Sequence, residues 1–588
     1  MSATLLPFPR AVFYDANGNP LAAGFVWTYV PNTTTPKTSW QDAGESILNT
    51  NPILLDANGS CLLYGAGQYT LAVIDALGNQ VPAYSGLTTD ANSALTTFKA
   101  DLANQTDATK GSALVGYFQA ISGWIGRTLK AKLLDYLTVL DFGADPTGIN
   151  DNTAAWQAAI NYAASVGGAC IWVTPGTYKF TGTLNIANSG VVLRGTSPFG
   201  CILNFSNGSA DCIVVGFQGS FVFGVYITDL TINGVSKTGG RIISAKTISN
   251  CIFSGIVTNT AFDGIYVEEI NNVLIANSVI ILTVPGANFG LKWFSTASAE
   301  KTSNVLTLEN LTIQCSATGA NGIVVDGSCQ TLRIDSVGII HASDGLQILN
   351  TQASNSFFPQ FFFCNDLEID GVLSHAMLVE GGRHLRFVNC DFFNNFSGGG
   401  SDTNCIHILS DGLASVTTAM WFTACRISGA QQSGIYCEAK NVDISACYIG
   451  DNSLSGVGVY PGIALGNSGL SNGAATSITV SAGQNGAIFG DIGRQNYGVT
   501  AVAGVTRVTV DGVDFSNCVT GAIFDNTGGL GNVMWHGCID INGVQLPDRL
   551  PILPADSALA AEGIIYEDAS THALRVYVNG ALKTITVT

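Results

Sequence analysis

Short apolar runs alternate with polar corners through the middle of the chain, and the same block keeps returning. It reads NCIFSG (250–255), NSVIIL (277–282), NLTIQC (310–315), NCDFFN (389–394), ACRISG (424–429), ACYIGD (446–451) and GVDFSN (512–517). A second block, GIYVEE (264–269), GIVVDG (322–327), GLQILN (345–350) and GIYCEA (434–439), alternates with it. Two β-type runs per repeat predict a solenoid of stacked coils. Cys425 and Cys447 set a coil of 22 residues, and Cys251 and Ser278 one of 27. The Gly/Ser/Asn-rich segment 452–507 departs from the pattern and predicts an irregular coil or two with a surface excursion.

The flanks carry other periods. Residues 1–90 are rich in Gly, Asn and Pro, with short β runs such as GFVWTYV (24–30) and GQYTLAVID (67–75). Within 91–138, Leu114, Phe118, Ile121, Ile125, Leu129, Leu133 and Leu137 fall three or four apart, which predicts a helix whose narrow apolar stripe suits self-association. Residues 139–546 hold the solenoid. Its front coil needs a cap. NTAAWQAAINYAA (152–164) supplies a helix for that role, with Trp156, Ile160 and Ala163/Ala164 on one side and Asn152 or Thr153 as N-cap. Residues 547–588 open with PDRLPILP and then show two β runs, GIIYED and LRVYVNG, which predict a small hairpin-like module.

Composition narrows the class. The chain has 588 residues, 68 of them Gly, and only 11% are charged, as befits an all-β protein with many tight turns. A net charge of −18 argues against nucleic acid or an anionic membrane as partner. No apolar run reaches transmembrane length, and MSATLLPFPR lacks a signal-peptide core, so synthesis in a cytosol without export by the usual route is expected. The 15 Cys include no CxxC and no zinc spacing, so neither a disulfide framework nor a metal or cofactor is expected. Aligning the first block puts Cys251, Cys390, Cys425, Cys447 and Cys538 in one column with Leu230, Leu311, Val337, Val372 and Val513. A column that accepts Leu, Val or Cys faces the core.

LTVLDFGADPTGINDNTAAWQAAINYAASVGGACIWVTPGTYKF (137–180) resembles the opening of the pectate-lyase-like right-handed parallel β-helix proteins, with PTGINDNT in place of their usual Gly-Asp-Gly turn. FYDANGNPLAAGFVWTYVPNTTTPK (13–37), PILLDANGSC (52–61) and GQYTLAVIDALGNQV (67–81) resemble the virion-attachment domain of bacteriophage tailspikes and tail fibres. NQTDATKGSALVGYF (104–118) with RTLKAKL (127–133) is similar to the neck that follows it in such tailspikes. The resemblance implies a homotrimer in the virion tail with four regions: an attachment domain (1–90) that meets tail or baseplate proteins, a helical trimeric neck (91–138), a right-handed parallel β-helix (139–546) and a C-terminal β module (547–588). It also implies binding, and often cleavage, of a bacterial surface polysaccharide. Asp141, Asp145 and Asp151 are expected to serve turns and the helix cap rather than chemistry.

Candidate chemistry follows from stacking. Equivalent positions on adjacent coils lie about 4.8 Å apart, and side chains alternate in and out. With Ile275, Leu308, Ile334, Ile369 and Phe387 inward, the next residues out are Ala276, Glu309, Asp335, Asp370 and Val388. Glu309, Asp335 and Asp370 then form an acid ladder, the candidate catalytic set. Two residues earlier the outward positions read Thr307, Arg333, Glu368 and Arg386, and Asp391 extends the patch. Two carboxylates at that spacing repel by roughly 3 kcal/mol at an effective dielectric of about 20. Unless Arg333 or Arg386 offsets this, one pKa rises beside an ionised partner, as glycoside hydrolysis requires. A second column, Glu268, Asp326, Leu349, Glu380, Leu409 and Glu438, has His375, Arg383 and His384 nearby and Tyr266 and Tyr436 as stacking platforms. Asp326 and Glu380 are its candidate substrate contacts. The ladders also read as a solvated face, a Ca²⁺ site or a wall turned to the trimer axis. Arg333 or Arg386 beside the acids keeps a lyase open, and a non-enzymatic receptor-binding tail protein remains the other reading. The six His form no triad, and no G-x-S-x-G sits at a strand-to-helix turn.

Overall fold

A computed structural model of the chain describes residues 4–5, 10–89, 91–119, 122–123, 125–217, 219–296, 303–316, 319–351, 358–394, 403–410, 417–466, 474–486, 494–528, 532–549, 552–553, 565–568, 574–578 and 581–584. They fall into two compact units, Met1–Tyr136 and Leu137–Thr588.

The first unit is built on three turns of one design. Asp15, Asp56 and Asp75 each accept backbone hydrogen bonds from the residues two and four positions on, at 2.8–3.0 Å. Gly18, Gly59 and Gly78 supply the positive φ these turns need. Strands Phe25–Tyr29 and Gln68–Ile74 pair antiparallel in a four-stranded sheet over a core of Val26, Tyr69 and Val73. Further on, Ala91–Leu102 is a helix. The helix expected over the 114–137 stripe does not form. Gly116–Tyr117 pairs antiparallel with Arg127–Thr128, Leu114 ends the 3-10 turn Gly111–Leu114, and Leu129–Leu133 is α-helical, opened by Thr128 accepting from the Ala131 amide. Gly123, at φ 83°, lies between the two short strands and breaks the stripe. Ile121 lies outside the described residues. Among the described residues no helix is long and apolar enough to cross a membrane.

The second unit is a parallel β-helix. Its strands from Leu137–Thr138 to Val533–His536 pair coil upon coil in one continuous ladder. Three sheets run along it. In one coil, strand Ser303–Cys315 bends at Asn310, so that Leu306–Glu309 lies on sheet A and Leu311–Cys315 on sheet B. Asn321–Gly327 then lies on sheet C. The bend is a single left-handed residue repeated in register: Asn277, Asn310, Ser336, Asp366, Asn389, Ala424 and Ala446 all have φ of 50–54°. Asn310 Nδ2 donates to Asn277 Oδ1 at 2.9 Å, and Ser336 Oγ to Asp366 Oδ2 at 2.9 Å. Asn and Asp tolerate this region best after glycine. A second left-handed column, Asn250, Asn272, Val305, Thr331, Phe361, His384, Ala419 and Asn441, marks the other edge of sheet A.

Inward residues stack likewise. Leu308, Ile334, Cys364, Phe387, Phe422 and Ile444 form one column, with the Phe387 and Phe422 rings stacked at 5.1 Å. All 15 Cys are free thiols, and Cys390, Cys425, Cys447 and Cys538 are buried as core residues. Cys251 is also buried but pairs with Val273, one corner earlier than the column expected for it. Val372 leaves that column as well: Val337 pairs with Leu367. Segment 452–507 keeps the ladder: Thr476–Ser481 pairs with Lys440–Ser445, Gln484–Gly486 with Tyr448–Gly450, and Ile463–Leu465 with Tyr497–Ala501. Residues 451–462 there run as turns between two rungs, and 467–473 and 487–493 lie outside the described residues.

The front is capped as expected. Helix Thr153–Ser165 buries Trp156, Ile160 and Ala163 against the first coils. Asp151 accepts from the Thr153 and Thr181 amides. Burial alone would push its carboxyl up, but the bonds from the Thr153 and Thr181 hydroxyls, with those from the two amides, outweigh it and hold Asp151 at about 2. Asp141 and Asp145 likewise accept turn amides. At the other end of the chain, Ile565–Asp568 and Leu574–Val578 form the expected antiparallel hairpin, extended by Ala581–Thr584 and by Ile552–Leu553.

The bend makes a testable demand. Asn310→Val forces a β-branched residue into the left-handed region and removes the bond to Asn277. It should lower the unfolding free energy by about 1–2 kcal/mol, whereas Asn310→Gly stays within about 1 kcal/mol of the parent. Thermal melting reads the difference, and equal melting of the two variants contradicts the role given to the corner.

Candidate functional site

The left-handed corners sort the candidate residues onto three faces. Glu309 and Asp335 are adjacent on sheet A, as expected. Asp370 is not with them. Asp335 pairs with Asn365, and Asp370 pairs with Ile340 on sheet B. The coil 360–370 bends at Asp366, five residues before the Gly371 that the repeat pattern favours, so the sequence register there runs late. The same offset moves Glu368. The outward row beside Glu309 and Asp335 reads Thr307, Arg333, Phe363, Arg386, Trp421 and Asp443, and Glu368 belongs to sheet B.

Sheet A thus presents an exposed aromatic and cationic shelf. Phe361 and Phe363 are 40% and 46% exposed. The Phe361 ring stacks on His384 at 5.1 Å, His384 lies parallel to Trp421 at 6.3 Å, and the Arg386 guanidinium sits over Trp421 at 5.7 Å. Burial and the neighbouring Arg383 push the His384 imidazole below its usual range, so near neutral pH it stacks as an uncharged ring. Its Nδ1 has no hydrogen-bond partner among the described residues. Asp335 is held by Asn365 Nδ2 at 2.8 Å. The shelf was missed in the sequence, although its signal was there. In the run Phe361-Phe362-Phe363 only Phe362 can face the core, and it alone is buried.

Sheet B gathers the other acids. Glu368 pairs with Asp391, and Asp391 with Arg426, so two carboxylates and a guanidinium occupy successive rungs. Arg426 Nη1 lies 3.5 Å from Asp391 Oδ2, while Asp391 Oδ1 is buried with no hydrogen-bond partner among the described residues. Burial pushes the Asp391 carboxyl above the usual carboxylate range; Arg426 pulls against this, and the nearby Asp370 adds to it. On the rung before Glu368 the outward position is Gly338, where an added Cβ would meet only the Leu311 carbonyl at 4.0 Å. The glycine is not demanded by packing, and it leaves a notch beside Glu368.

Sheet C carries the second column in the expected order, with Phe294 inserted between Glu268 and Asp326. Three of its acids are committed to structure. Asp326, 3% exposed, accepts the Thr351 amide at 3.1 Å and hydroxyl at 2.8 Å. Glu268 takes Lys246 Nζ and the Tyr266 hydroxyl, both at 2.8 Å, and Glu438 takes the Tyr436 hydroxyl at 2.8 Å. Tyr266 is buried under Arg241 and is no open stacking platform. Glu380 is exposed. Of the basic residues placed near this column, His375 lies just before the sheet C strand Met377–Val379, bonded to Asp344 at 2.9 Å, while Arg383 and His384 belong to the edge of sheet A. Among the described residues no group of three His, Cys, Asp or Glu is placed to hold a metal ion.

Residues 136–346 match the family described as rhamnogalacturonase A/epimerase, pectate lyase-like. The solenoid is a parallel β-helix, and the match spans its front part. Its fold is that of phage tailspikes: the chain is similar to tailspike protein 3 of bacteriophage CBA120, with 14% identity and a TM-score of 0.64 over 99% of this chain and 95% of that one. It is also similar to the tailspike protein of the E. coli bacteriophage HK620, with 12% identity and a TM-score of 0.52 over 75% and 86%. Bacteriophage phi29 gene product 12 gives 13% and 0.52 over 74% and 62%. No curated protein matches in sequence. The parallel β-helix that carries all three faces is therefore a fold shared with the two tailspike proteins.

The electrostatics of Asp391 predict an inverted stability effect. An acid whose folded pKa lies above its unfolded value, about 3.9, costs the fold stability as pH rises through that interval, because the folded state must give up a proton it prefers. Asp391→Asn should therefore be at least as stable as the parent at pH 7, with the advantage vanishing below about pH 4. Thermal melting across pH measures this; a variant less stable at pH 7 contradicts the assignment.

Proposed function

We propose that this chain is a phage tailspike, a homotrimer held to the virion tail by residues 1–90, that binds a bacterial capsule or O-chain on its β-helix and hydrolyses it. The observation that carries the enzymatic part is the Glu368–Asp391 pair. Their rungs are neighbours, at a strand spacing of about 4.8 Å, close to the ~5–5.5 Å carboxyl separation of retaining glycosidases. Asp391, held above the usual carboxylate range, serves as the acid that protonates the leaving oxygen. Glu368, exposed beside the Gly338 notch, attacks the anomeric carbon as the bond to the protonated oxygen breaks, and water that gives its proton to Asp391 then releases the sugar from Glu368. Asp370 supports the raised acid through its charge. Glu309 and Asp335, on sheet A, border the aromatic shelf and contact the glycan without taking part in bond cleavage.

Reducing-end release from a surface polysaccharide that the protein adsorbs to tests this. Glu368→Gln and Asp391→Asn should each lower turnover by about 100-fold or more while binding persists. Glu309→Gln and Asp335→Asn should leave turnover within about tenfold of the parent. Loss of cleavage confined to the sheet A variants would move the chemistry there. Binding without release by the parent protein would leave a receptor-binding spike with no depolymerase activity.

A further inference from the structure

Resting on the reading of the β-helix as a glycan-binding surface, we propose that the sheet A shelf selects an acidic polysaccharide, with Arg386 as the principal carboxylate contact and Arg333 as a second one.

The argument starts from what surrounds Arg386. It is exposed, and its outward neighbours on the same rung are Val388 and the corner pair Arg383 and His384. The rung before presents Phe363 and Asn365, and the rung after presents Trp421 and Thr423. None of these is an acid. Its described contact is the face of Trp421, which orients the guanidinium and leaves its N–H groups for a ligand. On a chain of net charge −18 an acid-free cationic spot is out of character, since the long-range field repels anions. Such a spot attracts an anionic ligand only through short-range contact, and that gives selectivity rather than steering.

Arg333 stands in the same outward row two rungs away, about 9.6 Å along the axis, with Phe363 between. Asp335 lies on its own rung and Glu309 on the rung before, so its charge is partly offset and its contribution is the smaller one. Phe361, Phe363, the uncharged His384 ring and Trp421 provide flat apolar surface between and beside the two cations. Sugar rings present C–H faces to aromatic rings, and a carboxylate takes an arginine fork in bidentate fashion. A glycan lying along the axis would thus meet rings between two spaced guanidiniums. The ligand class that uses all of these groups is a polysaccharide carrying carboxylates at intervals, such as uronic acid units.

The test uses the intact protein and a purified acidic surface polysaccharide from a bacterial strain to which it adsorbs. One half of the polymer has its carboxylates reduced to alcohols. Affinity for the native polymer should exceed that for the reduced polymer by about tenfold or more, and the gap should shrink with added salt. Arg386→Gln should remove about tenfold of the native affinity, Arg333→Gln less, and Arg386→Lys only part of it; none should change binding to the reduced polymer. Trp421→Ala should weaken both polymers. Equal binding of native and reduced polymer, or adsorption only to strains whose surface glycans are neutral, overturns the acidic-ligand assignment while leaving the glycan-binding function standing. Binding to no surface polysaccharide overturns both. A change in oligomeric mass in Trp421→Ala would mean that another copy of the chain covers the shelf, and would also overturn the assignment.

Discussion

One backbone constraint organises the β-helix: a single residue in the left-handed region at each edge of sheet A, repeated on coil after coil. Such a residue turns the chain through a corner without interrupting the ladder, and the strand passes from sheet A to sheet B. Left-handed backbone disfavours most side chains, and the short polar groups of Asn, Asp and Ser that occupy many of the corners bond from rung to rung, as Asn310 does to Asn277. The corner sets the register, and the register decides which side chains become neighbours. A slip of one residue would exchange core and surface along the whole strand.

The functional surface follows from that geometry. Acids that look like one ladder in the sequence are divided by the corner into an exposed pair, Glu309 and Asp335, and a cluster around the next bend, Glu368, Asp370 and Asp391. The two groups differ in character. On sheet A the carboxylates stand in solvent beside rings and arginines, an arrangement suited to holding a polymer. On sheet B one carboxyl is partly buried, incompletely hydrogen-bonded and next to other acids, an arrangement suited to proton transfer. On sheet C, Asp326, Glu268 and Glu438 are instead bound up with Thr351, Lys246 and tyrosine hydroxyls, and they stabilise their wall.

The solenoid, its front cap and its cysteine core are legible in the sequence because they depend on period and on inward apolar character, which repeat. Register is legible only where the corner residue is unambiguous. Asn250-Cys251 and Asn389-Cys390 are the same dipeptide, a left-handed residue followed by an inward one, yet they sit at opposite edges of sheet A. Asp366-Leu367 and Gly371-Val372 compete in the same way within one coil; both Asp366 and Gly371 have positive φ, and only pairing across the ladder identifies Asp366 as the corner. That ambiguity displaced Asp370 and Glu368 by five residues. The neck stripe fails for a different reason: helical spacing of apolar residues does not survive Gly116, Gly123 and Gly126 within it.

Cross-linking of paired surface cysteines tests the register most directly. With Asp335→Cys in place, a second cysteine introduced by Asn365→Cys should be joined to it rapidly by a short bifunctional thiol reagent, because the two positions are neighbours on sheet A. A second cysteine introduced instead by Asp370→Cys, around the corner on sheet B, should not be joined. Ready linkage of position 335 to position 370 but not to position 365 would contradict the corner at Asp366, and with it the separation of the binding face from the acid cluster.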